Sequence, residues 1–306
     1  MEDIFRGLEF IQELRYGENP HQKAQWYGIK GQGLTDACLL QGKPLSYNNL
    51  IDLEAAIATV QEFPHTRATV VVKHTNPCGV AIGSDSITRA LDCDRTSAFG
   101  GIIAHNNIIG EDQAKELVKG FFECIVAVGF TESAKKMFAT KKNLRILELD
   151  VKRIKTNQYQ FRSILGGMLI QEMDNNIVDP DGWQVVTDKQ PTEQEMNDLQ
   201  FAWKVCRHVH SNAIVLAQDE QVTGIGAGQM NRVGSASIAF AMNKNRQSVL
   251  ASDGFFPFND TVISAKGNGI TALIQPGGSM KDQDSIDACN ELNMSMIFTN
   301  TRHFLH

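Results

Sequence analysis

The stretch Val70-Val71-Val72-Lys73-His74-Thr75-Asn76-Pro77-Cys78-Gly79 runs from apolar, β-branched residues straight into an ammonium and an imidazole. Open α/β sheets place ligands at the carboxyl ends of strands. A histidine there can carry a proton near neutral pH, and a lysine can hold a developing oxyanion or donate to a leaving nitrogen. Neighbouring side chains on a strand point to opposite faces. Lys73 and His74 therefore face one ligand only if the strand has ended, and Asn76-Pro77 and Gly79 supply the expected turn. The alternative is a lysine in solvent beside a histidine bonded to backbone.

Other clusters carry weaker chemistry. Arg15 and Tyr16, in Arg-Tyr-Gly-Glu-Asn-Pro-His-Gln, pair a phosphate-matching guanidinium with a rigid hydroxyl, or else form a capped turn. Ser97-Ala98-Phe99-Gly100-Gly101 is a small turn that lets backbone amides approach a ligand, or a tight connection between packed elements. Asn212, in Ser-Asn-Ala-Ile-Val, can hold a carboxamide or amine, or is a turn residue. The run Gly224-Ile225-Gly226-Ala227-Gly228 reads as a backbone-amide cradle from which Gln229 and Arg232 project. Its spacing is not the dinucleotide fingerprint, which argues against an NAD-dependent dehydrogenase. Phe255, Phe256 and Phe258 around Pro257 suggest an apolar wall for a flat heteroaromatic ligand, between Asp253 and Asp260. Gly277 and Gly278 follow another apolar strand. Arg302 and Phe304 lie in a terminus that is either frayed or tied into a site.

The 306 residues are 42% hydrophobic and 21% charged, with a formal net charge of −6, as for a globular protein of one large or two ordinary domains. No basic stripe suggests nucleic acid; the run from Lys135 to Lys155 reads as a solvated face. No segment is apolar for long enough to span a membrane. The acidic start Met-Glu-Asp-Ile-Phe is unlike a signal peptide, so cytoplasmic residence is expected. The six cysteines are scattered and read mostly as buried thiols. A zinc-deaminase signature fails: Ala81 stands where its second cysteine belongs, and the glutamate is missing.

These residues need elements to position them. Short β-branched runs predict strands at Ala68–Val72, Gly101–Ala104, Cys124–Val128, Ala213–Leu216, Ser248–Ala251, Ala272–Ile274 and Ser295–Phe298. Helices are predicted at Glu111–Lys119, Thr192–Cys206, Ala236–Asn243 and Asp282–Glu291, with Thr192 and Glu195 forming a capping box. The alternation predicts an α/β sandwich with mostly parallel pairing. The polar segment Asp174–Pro191, with its Asp179-Pro180-Asp181-Gly182 turn, suggests a connection between two halves. Each half runs a strand into a Gly-rich turn and then a helix, a pattern open to duplication.

The stretches RYGENPHQ, KHTNPCGVA, SAFGG, SNAIV, GIGAGQMNR, SDGFFPFND, IQPGGS and RHFLH occur in order across nearly the whole chain. Together they resemble the AICAR transformylase domain of the bifunctional purine biosynthesis family. The resemblance implies formyl transfer from 10-formyltetrahydrofolate to the 5-amino group of AICAR. It implies two cytidine-deaminase-like α/β subdomains, three-layer sandwiches without zinc, divided here as 1–165 and 166–306. It implies a homodimer with active sites at the interface, no nucleic-acid or membrane partner, and it admits a bound potassium ion. Lys73, His74 and Asn212 match catalytic positions. Arg15, Tyr16, Asn49, Phe99, Gly100, Arg302 and Phe304 match nucleotide-binding stretches. Arg232, Phe255, Pro257, Asp260, Gly277 and Gly278 match stretches that bind or border folate.

Two departures stand out. His210 replaces the family's usual lysine before Ser-Asn, and Asn259 its usual arginine in the Phe-rich motif. Both remove a fixed charge and leave open a catalytically silent, nucleotide-binding paralogue. The family's cyclohydrolase domain is not matched, so ring closure is expected from another enzyme.

Overall fold

The computed structural model describes residues 7–154, 157–175, 180–244 and 247–306. The acidic start Met1–Phe5, Lys155 of the basic run and Asp179 of the Asp-Pro-Asp-Gly turn lie outside the described residues. Strands β1 (Glu9–Leu14) and β2 (Ala24–Gly28) form a hairpin of their own. The first unit then runs β3 (Cys38–Gln41), α1 (Tyr47–Val60), β4 (Ala68–Lys73), β5 (Asn76–Ile82), α2 (Ser86–Cys93), α3 (Arg95–Ala98), β6 (Ile102–Ile109), α4 (Glu111–Leu117), β7 (Cys124–Phe130), α5 (Glu132–Phe138) and β8 (Arg145–Glu148). A second free-standing hairpin follows, β9 (Tyr159–Ile164) and β10 (Gly167–Glu172). The second unit runs β11 (Gln184–Val185), α6 (Glu193–Cys206), β12 (Ile214–Gln218), β13 (Gln221–Gly226), α7 (Arg232–Met242), β14 (Ser248–Ser252), α8 (Asp260–Gly267), β15 (Ile270–Gln275), α9 (Asp282–Glu291) and β16 (Ser295–Phe298).

The two units repeat one plan. Strand order is β5-β4-β6-β7-β8-β3 in the first and β13-β12-β14-β15-β16-β11 in the second, with matching directions. They join edge to edge through β5 and β13, where Ala81 faces Gln221 and the Ile82 amide donates to Glu220 at 3.2 Å. The result is one 12-stranded mixed sheet. Helices α1 and α6 cover one face over a core continuous across both units. The other helices cover the opposite face, over a separate core for each unit. Strands β4, β12 and β14 are buried along almost their whole length and mostly apolar, because both their faces are covered.

All seven predicted strands and all four predicted helices are present. Thr192 and Glu195 form the predicted box, with Thr192 accepting from the Glu195 amide. The mostly parallel pairing is corrected. Among the described residues only β6-β7-β8 and β14-β15-β16 are parallel, and the remaining ladders are antiparallel. Strands β5 and β13 escape the sequence reading because their glycines look like turns. Those glycines let helices approach: a Cβ on Gly79 would lie 2.0 Å from the Ala90 carbonyl, on Gly224 2.3 Å from Ala239, and on Gly226 1.8 Å from Ser235. No disulfide joins the cysteines among the described residues; Cys124, Cys206 and Cys289 are buried, Cys78 and Cys93 half-buried, and Cys38 exposed. No helix is long and apolar enough to cross a membrane, among the described residues.

Candidate active site

The antiparallel seam brings the carboxyl end of β4 to the same sheet edge as the amino end of β12. The carboxyl ends of β14, β15 and β16 and the amino ends of β6 and α1 share that edge. Lys73, Asn49, Phe99, Gly100, Asn212, Phe255, Gly277 and Arg302 thus lie along one rim drawn from both units.

The chain reverses at His74-Thr75, not at Asn76–Gly79. Lys73 pairs with Asn76 across a two-residue hairpin turn whose φ angles are 51° at His74 and 61° at Thr75. Pro77 and Gly79 belong to β5. Lys73 Nζ donates to the Phe99 carbonyl at 2.8 Å, on the α3 side of the sheet. The turn's backbone is held from the α1 side, where Asp52 Oδ1 accepts the Thr75 amide at 2.7 Å. A ligand that touches both Lys73 and His74 must therefore lie over the end of the turn. His74 is exposed there, as are Phe99 and Phe121, whose rings sit 5.2 Å apart.

The second unit closes on this turn. The His210 amide donates to Asn76 Oδ1 at 3.0 Å, and His210 Nε2 lies 3.3 Å from Thr75 Oγ1. Burial, with the nearby His306, holds the His210 imidazole below its ordinary range. Asn212 is locked: Nδ2 donates to the Gln229 carbonyl at 2.7 Å and Oδ1 accepts from Arg232 at 2.9 Å. One Nδ2 hydrogen remains for a ligand.

Arg232 does not project. Its side chain is 6% exposed, ion-paired to the fully buried Asp253 and bonded to Ser252 Oγ at 2.9 Å. The sequence could not reveal this, because the pairing joins β14 to α7 through the fold. The Gly224–Gly228 cradle is likewise corrected, since Gly224 and Gly226 lie within β13 under α7. The Phe-rich wall has two exposed rings, Phe255 and Phe258, beside exposed Pro257, while Phe256 is buried in the core. Asp260 starts α8 and accepts the Thr261 amide at 2.7 Å. Gly277 and Gly278 adopt φ of 73° and 98°, and the Gly278 amide donates to Asp282 at 2.7 Å.

The terminus is tied in. Ser211 and Leu305 exchange bonds, the Ser211 amide to the Leu305 carbonyl at 2.8 Å and the Leu305 amide to Ser211 Oγ at 3.2 Å. The Arg302 guanidinium lies 4.4 Å from the Phe304 ring centre. Asn49 caps α1 with Ser46, Oδ1 accepting the Ser46 amide at 3.1 Å. Arg15 stacks on Tyr16 at 5.5 Å, in a loop whose Glu18 carbonyl accepts from Asn48 at 3.3 Å. A cleft of about 1750 Å³ between α1, α6 and the β9–β10 hairpin is lined by Thr75, His210, Arg302 and Phe304. Lys73, His74, Asn212 and the Phe-rich turn do not line it. Among the described residues no group of three or more His, Cys, Asp or Glu is placed to hold a metal ion.

Sequence reasoning missed Asp52, Ser211 and Phe121. A periodicity pattern reads Asp52 as one more polar helix position, and Ser211 and Phe121 acquire their roles only through partners distant in the chain.

The sequence profile described as AICARFT/IMPCHase bienzyme matches residues 3–242. The bifunctional purine biosynthesis protein PurH of Prochlorococcus marinus (strain NATL1A) is 55% identical over 316 residues, 98% of this chain and 61% of that protein. PurH of Synechococcus sp. (strain CC9605) is 56% identical over 310 residues, covering 96% and 60%. PurH of Parasynechococcus marenigrum (strain WH8102) is 55% identical over 306 residues, covering 96% and 59%. The chain thus spans roughly three fifths of the length of these relatives, at most 61%. With most of its length inside that profile and over half its residues shared with these proteins, the chain belongs to the AICARFT/IMPCHase bienzyme family.

Proposed function

We propose that this chain transfers the formyl group of 10-formyltetrahydrofolate to the 5-amino group of AICAR, giving FAICAR and tetrahydrofolate in purine synthesis. The observation that carries the reading is the seam itself: one rim of the sheet presents an ammonium, an imidazole and a locked carboxamide. Family membership and the name shared by its relatives support it. The exposed Phe255, Pro257 and Phe258 suit a flat pterin, and the exposed Arg15 and Arg302 suit a nucleotide phosphate.

The folate supplies the formyl carbon, and the chain's own residues handle protons and charge. His74 takes the proton from the attacking amine. That amine is a weak nucleophile, because its lone pair is delocalised into the imidazole and carboxamide of the substrate. Lys73 keeps two N–H groups beyond the one given to Phe99; one steadies the negative charge on the formyl oxygen or protonates the departing nitrogen. Asn212 offers its remaining N–H to orient the amine or His74. Holding two cosubstrates over the end of one turn supplies much of the rate. Arg232 acts through Asn212, as its brace.

We read the two units as cytidine-deaminase-like subdomains divided at 165/166, which falls in the turn between β9 and β10. Their matching strand order supports this. We also propose a cytoplasmic homodimer with sites at its interface. The exposed Phe161, Ile164, Leu165, Met168 and Leu169 of the β9–β10 hairpin, beside the large cleft, support a partner there. The test of function is tetrahydrofolate release with AICAR and 10-formyltetrahydrofolate. Stoichiometric release supports transfer; tight nucleotide binding with no release contradicts it.

A further inference from the structure

Resting on the formyl-transfer reading, we infer that Asp52 is a positioning residue for His74: its carboxylate fixes the backbone of the left-handed turn that carries the imidazole. Nothing in a left-handed His-Thr pair is intrinsically stable. Each non-glycine residue is disfavoured in that conformation, so the surroundings must hold it. Asp52 does so from the first turns of α1, accepting the Thr75 amide at 2.7 Å. The same carboxylate takes the His74 amide and lies within electrostatic reach of the His74 and Lys73 side chains. The titratable groups around it are those two and the Cys124 thiol at the start of β7. Burial raises the Asp52 carboxyl, against the opposing pull of the Thr75 amide, His74 and Lys73.

The duplicated fold supplies an internal control. In the second unit, the β12–β13 turn has φ of 52° at Asp219 and 54° at Glu220. Asp198 of α6 accepts both amides, at 3.1 Å and 2.7 Å. The fold thus uses one helix carboxylate per unit to hold a hairpin turn. Only in the first unit does the turn so held carry an imidazole. The second turn carries two carboxylates and lies at the opposite edge of the sheet, away from Asn212. Turn-holding is common to Asp52 and Asp198; orienting His74 belongs to Asp52 alone.

The test compares Asp52→Ala and Asp52→Asn with Asp198→Ala and Asp198→Asn in the full chain. It reads kcat, KM for AICAR, and amide hydrogen exchange at the His74-Thr75 turn. We expect Asp52→Ala to lower kcat by about 10–10²-fold with KM within about threefold, as for lost orientation. Asp52→Asn, which keeps a weaker, neutral acceptor for the turn amide, should recover part of kcat and part of the exchange protection. The Asp198 variants should leave kcat and exchange at the His74-Thr75 turn unchanged. If Asp52→Ala does not fold, Asp52→Asn carries the comparison. Unchanged exchange at the Thr75 amide in the Asp52 variants, or kcat responding alike to Asp52 and Asp198 variants, overturns the proposal. A wild-type chain that releases no tetrahydrofolate sinks the formyl-transfer reading instead, while exchange at the Thr75 amide still decides whether Asp52 holds the turn.

Discussion

Two histidines in the first unit show how position decides a side chain's use. His74 stands exposed on a hairpin turn, whereas His105 is 1% exposed within β6, 2.9 Å from Thr69 Oγ1. Burial pushes the His105 imidazole down to about 4 from its ordinary 6.5. The unfolded chain therefore binds that proton more tightly than the folded one. His105 contributes its full stability above about 6.5 and loses it as pH falls toward about 4. The contribution is on the order of 3 kcal/mol, at about 1.4 kcal/mol per pKa unit. Thermal unfolding followed from pH 7 to pH 4.5 should show a falling Tm, and His105→Gln should flatten that slope. An unchanged slope would contradict the burial argument. The neighbouring Asn106, 1% exposed, also serves the core. Asn106 Oδ1 accepts the Ala68 amide at 2.8 Å and Nδ2 donates to Phe63 and Thr66 carbonyls at 2.7 and 2.9 Å.

At the scale of elements, apolar strands and capped helices were legible because each declares itself locally. A run such as Ala68–Val72 has one reasonable fate, and Thr192 with Glu195 fixes a helix start. Strands β5 and β13 were not legible, because a glycine that admits a helix looks the same in sequence as one that makes a turn. That distinction predicts a contrast. Gly226→Ala would drive a Cβ to 1.8 Å from the Ser235 carbonyl and should cost about 1–3 kcal/mol or more. Gly267→Ala, at the end of α8 with nothing within 4 Å, should be tolerated. Chemical denaturation of the two variants measures the difference, and equal midpoints would refute the close-approach account. The same reasoning applies to Arg232. Sequence places a cation after a Gly-rich run, whereas the tertiary fold turns it inward onto Asp253.

At the scale of the molecule, the edge-to-edge join of two like units creates the candidate site. Neither unit alone carries Lys73, His74 and Asn212 on one rim. The motifs named the residues that meet there, but no sequence feature showed that β5 and β13 would pair to bring them together. The exposed β9–β10 hairpin predicts assembly. Leu165, fully exposed in the single chain, should anchor a partner subunit. Leu165→Asp should shift sedimentation toward the monomer if the hairpin lies in the dimer interface, and a wild-type monomer at micromolar concentration would contradict the assembly.

The central claim is that the β4–β5 turn delivers the group that moves the substrate's proton. Its most direct measurement is the turnover of AICAR and 10-formyltetrahydrofolate by the wild type and by His74→Ala, with nucleotide affinity measured alongside. The account predicts that the substitution lowers kcat by about 10²–10⁴-fold while AICAR still binds. Turnover that survives the substitution unchanged would contradict it.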